Sequence, residues 1–358
     1  MDMNLLPREL IGEISNALCV EDAVALGKTN KQFLTNLSKT DFGYKVKHLV
    51  DINTVFYMNA ANKYAQKQYV VGIFTHLTIF THLTIKSNSN QLVDKLNLQH
   101  LTSLTHLTFG SDFNQSIDNL KLPHSLTHLA LGYGFDQSVD NLKLQHLVSL
   151  THLEFGLYFD KPVDNLQLPQ SLTHLKFGYC FNKPIDSLRL PHSLTHLVFG
   201  HYFNQPVHKL KLPQSLTHLI FESNFRQSIE ELKLPESLTH ISLGTSFSES
   251  NNNIKFPKSL THVTFGVLFD HVIDLSKLQL QLTSFTHITF GDYFNQPVDN
   301  LTLPQSLTYL KFGFSFNQSI NKLALPQSLT HITFGQLFQQ STKHLKSLPN
   351  LTVTRETV

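Results

Sequence analysis

The stretch Leu104–Phe113, LTHLTFGSDF in one-letter code, decides the architecture because it returns along most of the chain. Eleven copies can be aligned by their first residue. They begin at Leu104, Leu126, Leu150, Leu172, Leu194, Leu216, Leu238, Leu260, Phe285, Leu307 and Leu329. The interval is 22 residues apart from two longer steps of 24 and 25 residues. A fixed period of this kind predicts a solenoid of stacked coils.

Alternation within one copy predicts a short β-strand. Leu107 and Phe109 follow the Leu-x-x-Leu-x-Leu spacing that resembles leucine-rich repeats, and we expect both side chains to face the core. By the same alternation, His106 and Thr108 lie on the other, solvent-facing side. Gly110 is expected to end the strand, at a position that requires either a positive φ or the close approach of another backbone segment.

The second half of each copy is predicted to return along the opposite wall of the coil. Ile117–Leu122 carries leucines in alternation, which favours a second extended segment. Pro123 and its counterparts then mark the bend. We expect Phe113 and its counterparts to stack as a ladder. Both longer steps fall just before the next Leu-Thr-His motif, and this part of the coil is therefore predicted to be a loop.

The two ends of the array differ from its middle. Residues 73–85 contain a duplicated six-residue unit, which is predicted to form one extended capping strand. At the other end, Leu351 and Val353 restart the strand pattern before a polar terminus that is expected to act as a cap. We therefore predict a repeat solenoid over residues 73–358, preceded by a linker or short helix over residues 41–72.

A second anchor in each copy identifies a family resemblance. Phe203–Val207 reads FNQPV and Phe181–Ile185 reads FNKPI. These phrases resemble the FNIP repeat family, known from social amoebae and giant viruses, over about residues 86–345. The resemblance implies a β-rich, leucine-rich-repeat-like solenoid with a role in macromolecular interaction, and it specifies no ligand.

The segment before the array differs in kind from the repeats. In residues 4–37 the apolar side chains recur every four residues on one face of an amphipathic helix, and a small all-α module is predicted over residues 1–40. The pattern is carried by Leu6, Pro7, Glu9, Leu10, Ile14, Leu18, Leu26 and Phe33. It resembles an F-box, which implies docking to a Skp-family adaptor of a cullin ubiquitin ligase. The alternative is that these helices only cap the first coil.

Composition limits the classes of partner. The 358 residues include 28 basic and 26 acidic side chains, a net charge of +2 without a basic run, so nucleic acid is not an expected partner. No apolar stretch approaches the roughly 18 residues that a membrane-spanning helix needs, and no signal peptide opens the sequence. We therefore expect no membrane partner and a cytoplasmic location, in the host cytoplasm if the protein is viral.

A column of histidines is the most suggestive chemical feature. A histidine follows the Leu-Thr pair in nearly every copy, from His82 to His331, and Tyr309 replaces it once. Two readings are open, a metal site shared by neighbouring imidazoles or a structural ladder in which imidazoles and threonine hydroxyls satisfy one another. We favour the ladder, and we expect no metal, no cofactor and no catalytic residue, because every polar side chain recurs in each copy.

Positions that vary between copies are candidates for partner recognition. The outward position of the strand differs from coil to coil, and in three coils a tyrosine lies two residues after the strand glycine. The candidates are Glu154, Lys176, Val198, Ile220, Lys311, Tyr158, Tyr202 and Tyr293. Tyrosine is enriched in interaction hot spots, whereas neutral variation on a solvated face would give the same pattern. The sequence thus predicts a protein-interaction solenoid that is not an enzyme and that serves as a ligase substrate receptor, or alternatively as a scaffold.

Overall fold

The computed structural model of the chain describes residues 50–51, 81–86, 98–244, 254–270, 284–347 and 349–356. The chain divides into two compact units, residues 1–156 and 157–358. In the described part of each unit, successive coils contribute one strand each to a parallel sheet. The F-box-like segment, including all eight residues predicted to bind an adaptor, lies outside the described residues.

The described part of the first unit contains five strands. They are β1 (Val50–Asp51), β2 (His82–Lys86), β3 (His106–Phe109), β4 (His128–Ala130) and β5 (His152–Glu154). Each strand pairs in parallel with the next along the chain. Strand β1 lies within the stretch predicted as a linker or short helix, and it pairs with β2, the described end of the predicted capping strand.

The described part of the second unit contains nine strands. They are β6 (His174–Lys176), β7 (His196–Phe199), β8 (His218–Phe221), β9 (His240–Leu243), β10 (His262–Thr264), β11 (His287–Thr289), β12 (Tyr309–Lys311), β13 (His331–Phe334) and β14 (Thr352–Arg355). They also pair in parallel and in chain order. All four residues of β14 are exposed, as expected of a polar terminal cap.

The register places equivalent residues of neighbouring coils side by side. His106 pairs with His128 and Leu107 with Leu129. Leu107 and Phe109 are buried whereas Thr108 is exposed, which confirms the predicted alternation. This register aligns the coils so that each residue type forms a column along the sheet.

Two columns of phenylalanine fill the coils. The Phe113 ring lies 4.4 Å from that of Phe109 in its own coil and 6.2 Å from that of Phe135 in the next. In the second unit the ring centroids of Phe181 and Phe203 are 6.0 Å apart and nearly parallel. The predicted phenylalanine ladder is therefore confirmed. Aromatic side chains bury more apolar area than other residues, so these columns dominate the core.

The return path contains turns between irregular segments, and over Ile117–Leu122 the predicted extended segment is interrupted by a turn at residues 118–119. The N–H of Leu120 donates to the carbonyl of Ile117 at 3.0 Å, and the N–H of Leu126 donates to that of Pro123 at 3.2 Å. These local hydrogen bonds give the backbone partners within the coil, while Ile117 and Leu120 still bury their side chains. Pro123 lies at the bend as predicted.

Within the described residues, three short 3₁₀ helices interrupt the turns, at Leu98–His100, Leu144–His146 and Lys343–Ser347. The second one holds the extra residues of the 24-residue step, so the predicted loop contains a helical turn there. Leu144 and Leu147 are buried, which anchors the insertion to the core. Residues 271–283, which lie within the 25-residue step, are outside the described residues.

The strand-end glycines are required by close backbone approach. A Cβ atom on Gly132 would fall on the carbonyl oxygen of Gly110, and one on Gly200 would fall on that of Gly178. The same relation holds for Gly156, Gly291, Gly313 and Gly335. Gly244 alone among the described glycines has a positive φ, of 57°. Of the two reasons given by the sequence, close approach therefore applies to most coils.

Candidate functional site

The histidine column is a stack of parallel rings. In the first unit, centroids of successive rings from His82 to His152 are 4.0 to 4.1 Å apart. In the second unit the spacing from His174 to His287 is 3.9 to 4.1 Å. Tyr309 widens the spacing to 5.4 Å. Because stacked rings direct their outer nitrogens in parallel, neighbouring imidazoles do not converge on a shared point.

Each imidazole is held by the threonine before it. In the coil of β7, Thr195 Oγ1 lies 2.8 Å from His196 Nδ1 and donates to the carbonyl of Thr173 at 3.0 Å. A hydroxyl carries one hydrogen, so when it donates to the carbonyl, Nδ1 must donate to the hydroxyl. The pattern recurs in the coils of His106, His128, His152, His218, His240 and His262. This arrangement is the structural ladder that the sequence favoured.

The ladder environment disfavours protonation. Desolvation by burial is the main cause that lowers the pKa of His218 and of His262 to about 4, and repulsion from neighbouring histidines adds to it. In the first unit, burial and then His128 lower the pKa of His106. Repulsion between neighbouring imidazoles is the smaller cause in these histidines. Burial outweighs it because the rings are half covered by their neighbours.

A second polar ladder, which the sequence analysis did not recognise, explains the asparagine of the repeated phrase. Asn204 Oδ1 accepts hydrogen bonds from the N–H of Arg226 at 2.8 Å and from Gln227 Nε2 at 3.1 Å, both in the next coil. Asp160 Oδ1 accepts the N–H of Asn182 in the same way. An acceptor oxygen at this position is therefore what stacking requires. The recurrence of Asn or Asp after most of these phenylalanines was the signal for a structural role.

The structure places the predicted variable positions on the outward face of the strands. Glu154 and Lys176 are exposed, and Val198, Ile220 and Lys311 are half-buried. Lys311 is paired with Glu356 beyond β14, so its charge is already engaged. The residues share one coil position, but Glu154 lies in the first unit and the others in the second.

Exposed apolar side chains are concentrated at one corner of the coil. Eleven large hydrophobic residues are exposed among the described ones, and nine of them occupy the two positions after the strand glycine or its counterpart. Tyr133 holds this place in the first unit. We call the eight in the second unit the corner stripe: Tyr158, Tyr179, Tyr202, Val267, Leu268, Tyr293, Phe314 and Leu337.

The corner stripe contains all three predicted tyrosines and five residues that the sequence analysis missed. Tyr158 is 59% exposed and Tyr293 is 57% exposed. Ser223 and Asn224 interrupt the stripe, because they occupy the corner positions of the coil after Tyr202. A search for any apolar residue at these positions, and not only for tyrosine, would have found the full set.

Comparison with known proteins identifies the repeat. The family model of the FNIP repeat matches residues 102–134, 148–180, 181–224, 224–267, 283–315 and 316–352. The chain belongs to the FNIP repeat family. No curated protein matches it significantly in sequence. The FNIP phrase thus corresponds to the buried phenylalanine, the asparagine ladder and the turn that follows them.

Solved structures place the FNIP coils among leucine-rich-repeat solenoids. CroV588, a circular leucine-rich-repeat protein, is 39% identical over 76% of this chain and 46% of its own, with a TM-score of 0.55. TLR13 in complex with ssRNA13 is 13% identical over 81% and 48%, with a TM-score of 0.52, a likeness of fold alone. An internalin from Listeria monocytogenes is 15% identical over 79% and 77%, with a TM-score of 0.43. This chain thus spans about half the length of CroV588.

The described residues contain neither a cluster of metal ligands nor a membrane-spanning helix. No group of three or more His, Cys, Asp or Glu side chains in the described residues is arranged to hold a metal ion. No helix in the same part of the chain combines the length and apolar character needed to cross a bilayer. Repeat solenoids of the leucine-rich type present extended surfaces to protein partners, and that general role fits this architecture.

Proposed function

We propose that this chain binds a protein partner through the corner stripe. The observation that supports the proposal is the placement of nine of the eleven described exposed large hydrophobic side chains at the two coil positions after the strand glycine, eight of them in the second unit. Single exposed apolar residues are common on soluble proteins, whereas aligned ones indicate an interaction surface. Tyrosine supplies apolar contact area together with a hydroxyl that can bond a partner.

We also propose that the chain is not an enzyme. The threonine–histidine pairs recur in successive coils with nearly the same geometry. A catalytic site requires one place with an oriented base and a stabilised transition state. The repeated threonine–histidine pairs instead stabilise the stacking of the coils. The corner stripe and the outward strand positions are therefore the surfaces that we propose for recognition.

Selection of peptides from a displayed random library on the purified chain tests the corner stripe. Selected peptides are then measured against a Tyr158→Ser/Tyr293→Ser variant. The matched control is Gln167→Ser/Thr302→Ser, which alters exposed residues on the return path of the same two coils. We expect peptides to bind the chain and the control alike and to lose about tenfold in affinity for the tyrosine variant. Equal binding to all three proteins would overturn the proposal.

The finer proposal is that the chain is a substrate receptor of a Skp–cullin–F-box ubiquitin ligase. It rests on the F-box-like pattern of residues 4–37, in which Leu6 and Pro7 open the first predicted helix. The experiment is a pull-down with purified Skp-family adaptor and a Leu6→Ala/Pro7→Ala variant, whose folding is checked by circular dichroism. Adaptor binding by the intact chain that is lost in the folded variant supports the substrate-receptor proposal. No binding by the intact chain supports the alternative of a scaffold with capping helices.

A further inference from the structure

Glu222 departs from the rule that glycine ends the strand. It follows β8 at the place that Gly200 holds in the preceding coil and Gly244 in the following one. In the other ten aligned copies this position is glycine. Gly244 accommodates the change with a positive φ, and a Cβ atom there would lie 2.9 Å from the carbonyl oxygen of Glu222. A residue that breaks a repeat rule and requires local rearrangement is a candidate for function.

An aromatic cluster of the corner stripe lies next to this residue. The rings of Tyr179 and His201 are parallel, with centroids 4.5 Å apart. The ring of Tyr202 is edge-on to both, at 5.2 Å from each. Tyr179 is 42% exposed and Tyr202 is 49% exposed, so both phenol rings are open to a ligand. Edge-to-face packing fixes the rings relative to one another before a partner arrives.

The corner that Glu222 opens is stacked in register on the coil of this cluster. The N–H of Asn224 donates to the carbonyl of His201 at 2.9 Å, and the N–H of Tyr202 donates to that of Tyr179 at 2.9 Å. Desolvation is the main cause that raises the pKa of the Tyr179 phenol above its ordinary value of 10.0, and Tyr202, Cys180 and Glu222 add to it. No cation among the residues that the structure describes forms an ion pair with Glu222. The half-buried carboxylate therefore contributes an uncompensated negative charge beside electron-rich aromatic faces.

We propose that Tyr179, Tyr202 and Glu222 form a recognition site for an arginine side chain of the protein partner. A guanidinium group stacks on aromatic rings and pairs with a carboxylate through two parallel N–H donors, so it complements both parts of the cluster. The inference rests on the proposed function, because it names the chemistry of one contact within the corner stripe. It also accounts for the charged side chain that replaces glycine in one of the eleven aligned copies.

Synthetic peptides that differ in one charge test the site. The probes are acetyl-Gly-Phe-Arg-Phe-Gly-amide and the same peptide with citrulline, a neutral analogue of arginine, titrated into the full chain by calorimetry or NMR. We expect the arginine peptide to bind about threefold to tenfold more tightly, the range of a partly exposed cation–π contact with a charge pair. Equal affinity of the two peptides would overturn the inference.

Variants assign the preference to Glu222. Glu222→Gln is expected to abolish the preference for arginine, and Glu236→Gln, an exposed glutamate on the return path of the same coil, to preserve it. Glu222→Gly restores the repeat residue and should also abolish the preference while melting at the same temperature as the parent or higher. A preference that persists in Glu222→Gln refutes the site, since that variant keeps the size of the side chain.

This experiment separates the inference from the proposed function. The Tyr158→Ser/Tyr293→Ser variant leaves Tyr179, Tyr202 and Glu222 intact. Selected peptides that depend on Tyr158 and Tyr293, together with equal affinity of the arginine and citrulline peptides, would retain the corner stripe and remove the arginine site. The opposite result, with a preference for arginine that requires Glu222 and no peptide sensitive to the tyrosine variant, would retain the site and remove the wider stripe.

Discussion

The imidazole rings of His196 and His218 stack with their centroids 4.1 Å apart. At this distance two protonated rings would repel each other, and each is also partly removed from water by its neighbour. Both effects favour neutral rings in the folded chain. In the unfolded chain the same side chains are separated and hydrated, so they take up protons at their ordinary pKa. Folding and protonation of the ladder therefore oppose each other.

The free energy of unfolding should fall as pH is lowered from 6.5 towards 4. The pKa values of His218 and His262 are about 4 when folded and 6.5 when unfolded, so the unfolded chain binds more protons within this window. Each should cost on the order of 1 kcal/mol after solvent screening. Chemical denaturation at pH 7.5, 5.5 and 4.5 measures the effect. Constant stability between pH 7.5 and 5.5 would contradict the ladder as described.

Replacing ladder histidines with tyrosine should weaken that pH dependence. Tyr309 shows that the array accepts tyrosine at this position, although the ring spacing there widens to 5.4 Å. A His218→Tyr/His262→Tyr variant removes two groups with lowered pKa values, so its loss of stability between pH 6.5 and 4 should be smaller than that of the parent. The control is His192→Tyr, an exposed histidine outside the ladder, which should leave the pH dependence unchanged.

Gly200→Ala should destabilise the second unit by about 1–3 kcal/mol, the usual cost of overpacking, or more if the backbone cannot move. The added Cβ atom would fall on the carbonyl oxygen of Gly178 and lie 3.0 Å from Cα of Tyr179. Urea denaturation measures the change. Ser223→Ala, one residue beyond the strand end in the next coil, serves as the control. Equal stability of the two variants would show that the coils can separate to make room.

Asn204→Asp should be nearly neutral, whereas Asn204→Leu should cost about 1–2 kcal/mol. The aspartate keeps the oxygen that accepts from Arg226 and Gln227, and Asp160 already supplies that acceptor in another coil. Leucine removes the acceptor and leaves the N–H of Arg226 without its bond to the preceding coil. Thermal melts of both variants check the prediction, and a destabilised aspartate variant would assign a role to the amide nitrogen.

The repeating part of the fold could be predicted because each repeated residue type has the same structural role in every coil. Alternation at Leu107 and Phe109 gave the strand, and the period gave its parallel pairing. The turns over Ile117–Leu122 were missed because alternating leucines favour a strand in isolation. There, hydrogen bonds within the turn compete successfully with a sheet ladder, and the sequence pattern alone does not reveal this.

The candidate site was predicted only in part, because its residues differ from coil to coil. Tyr158, Tyr202 and Tyr293 stood out as tyrosines, but Val267 and Leu337 gave no signal until the structure showed that they are exposed. Apolar side chains are usually assigned to a core. Glu222 could be recognised as a departure from the repeat, whereas its closeness to Tyr179 depends on the stacking of coils that are 43 residues apart in sequence.

The asparagine ladder also bears on how such a gene can lengthen. Asn182 and Asn204 each accept hydrogen bonds from the following coil, and each donates its own N–H to the acceptor of the preceding coil. A duplicated 22-residue segment would meet matching donors and acceptors on both sides. Unequal recombination within the repeats can therefore add or remove whole coils without leaving an unmatched junction, and the array can change its length in single evolutionary steps.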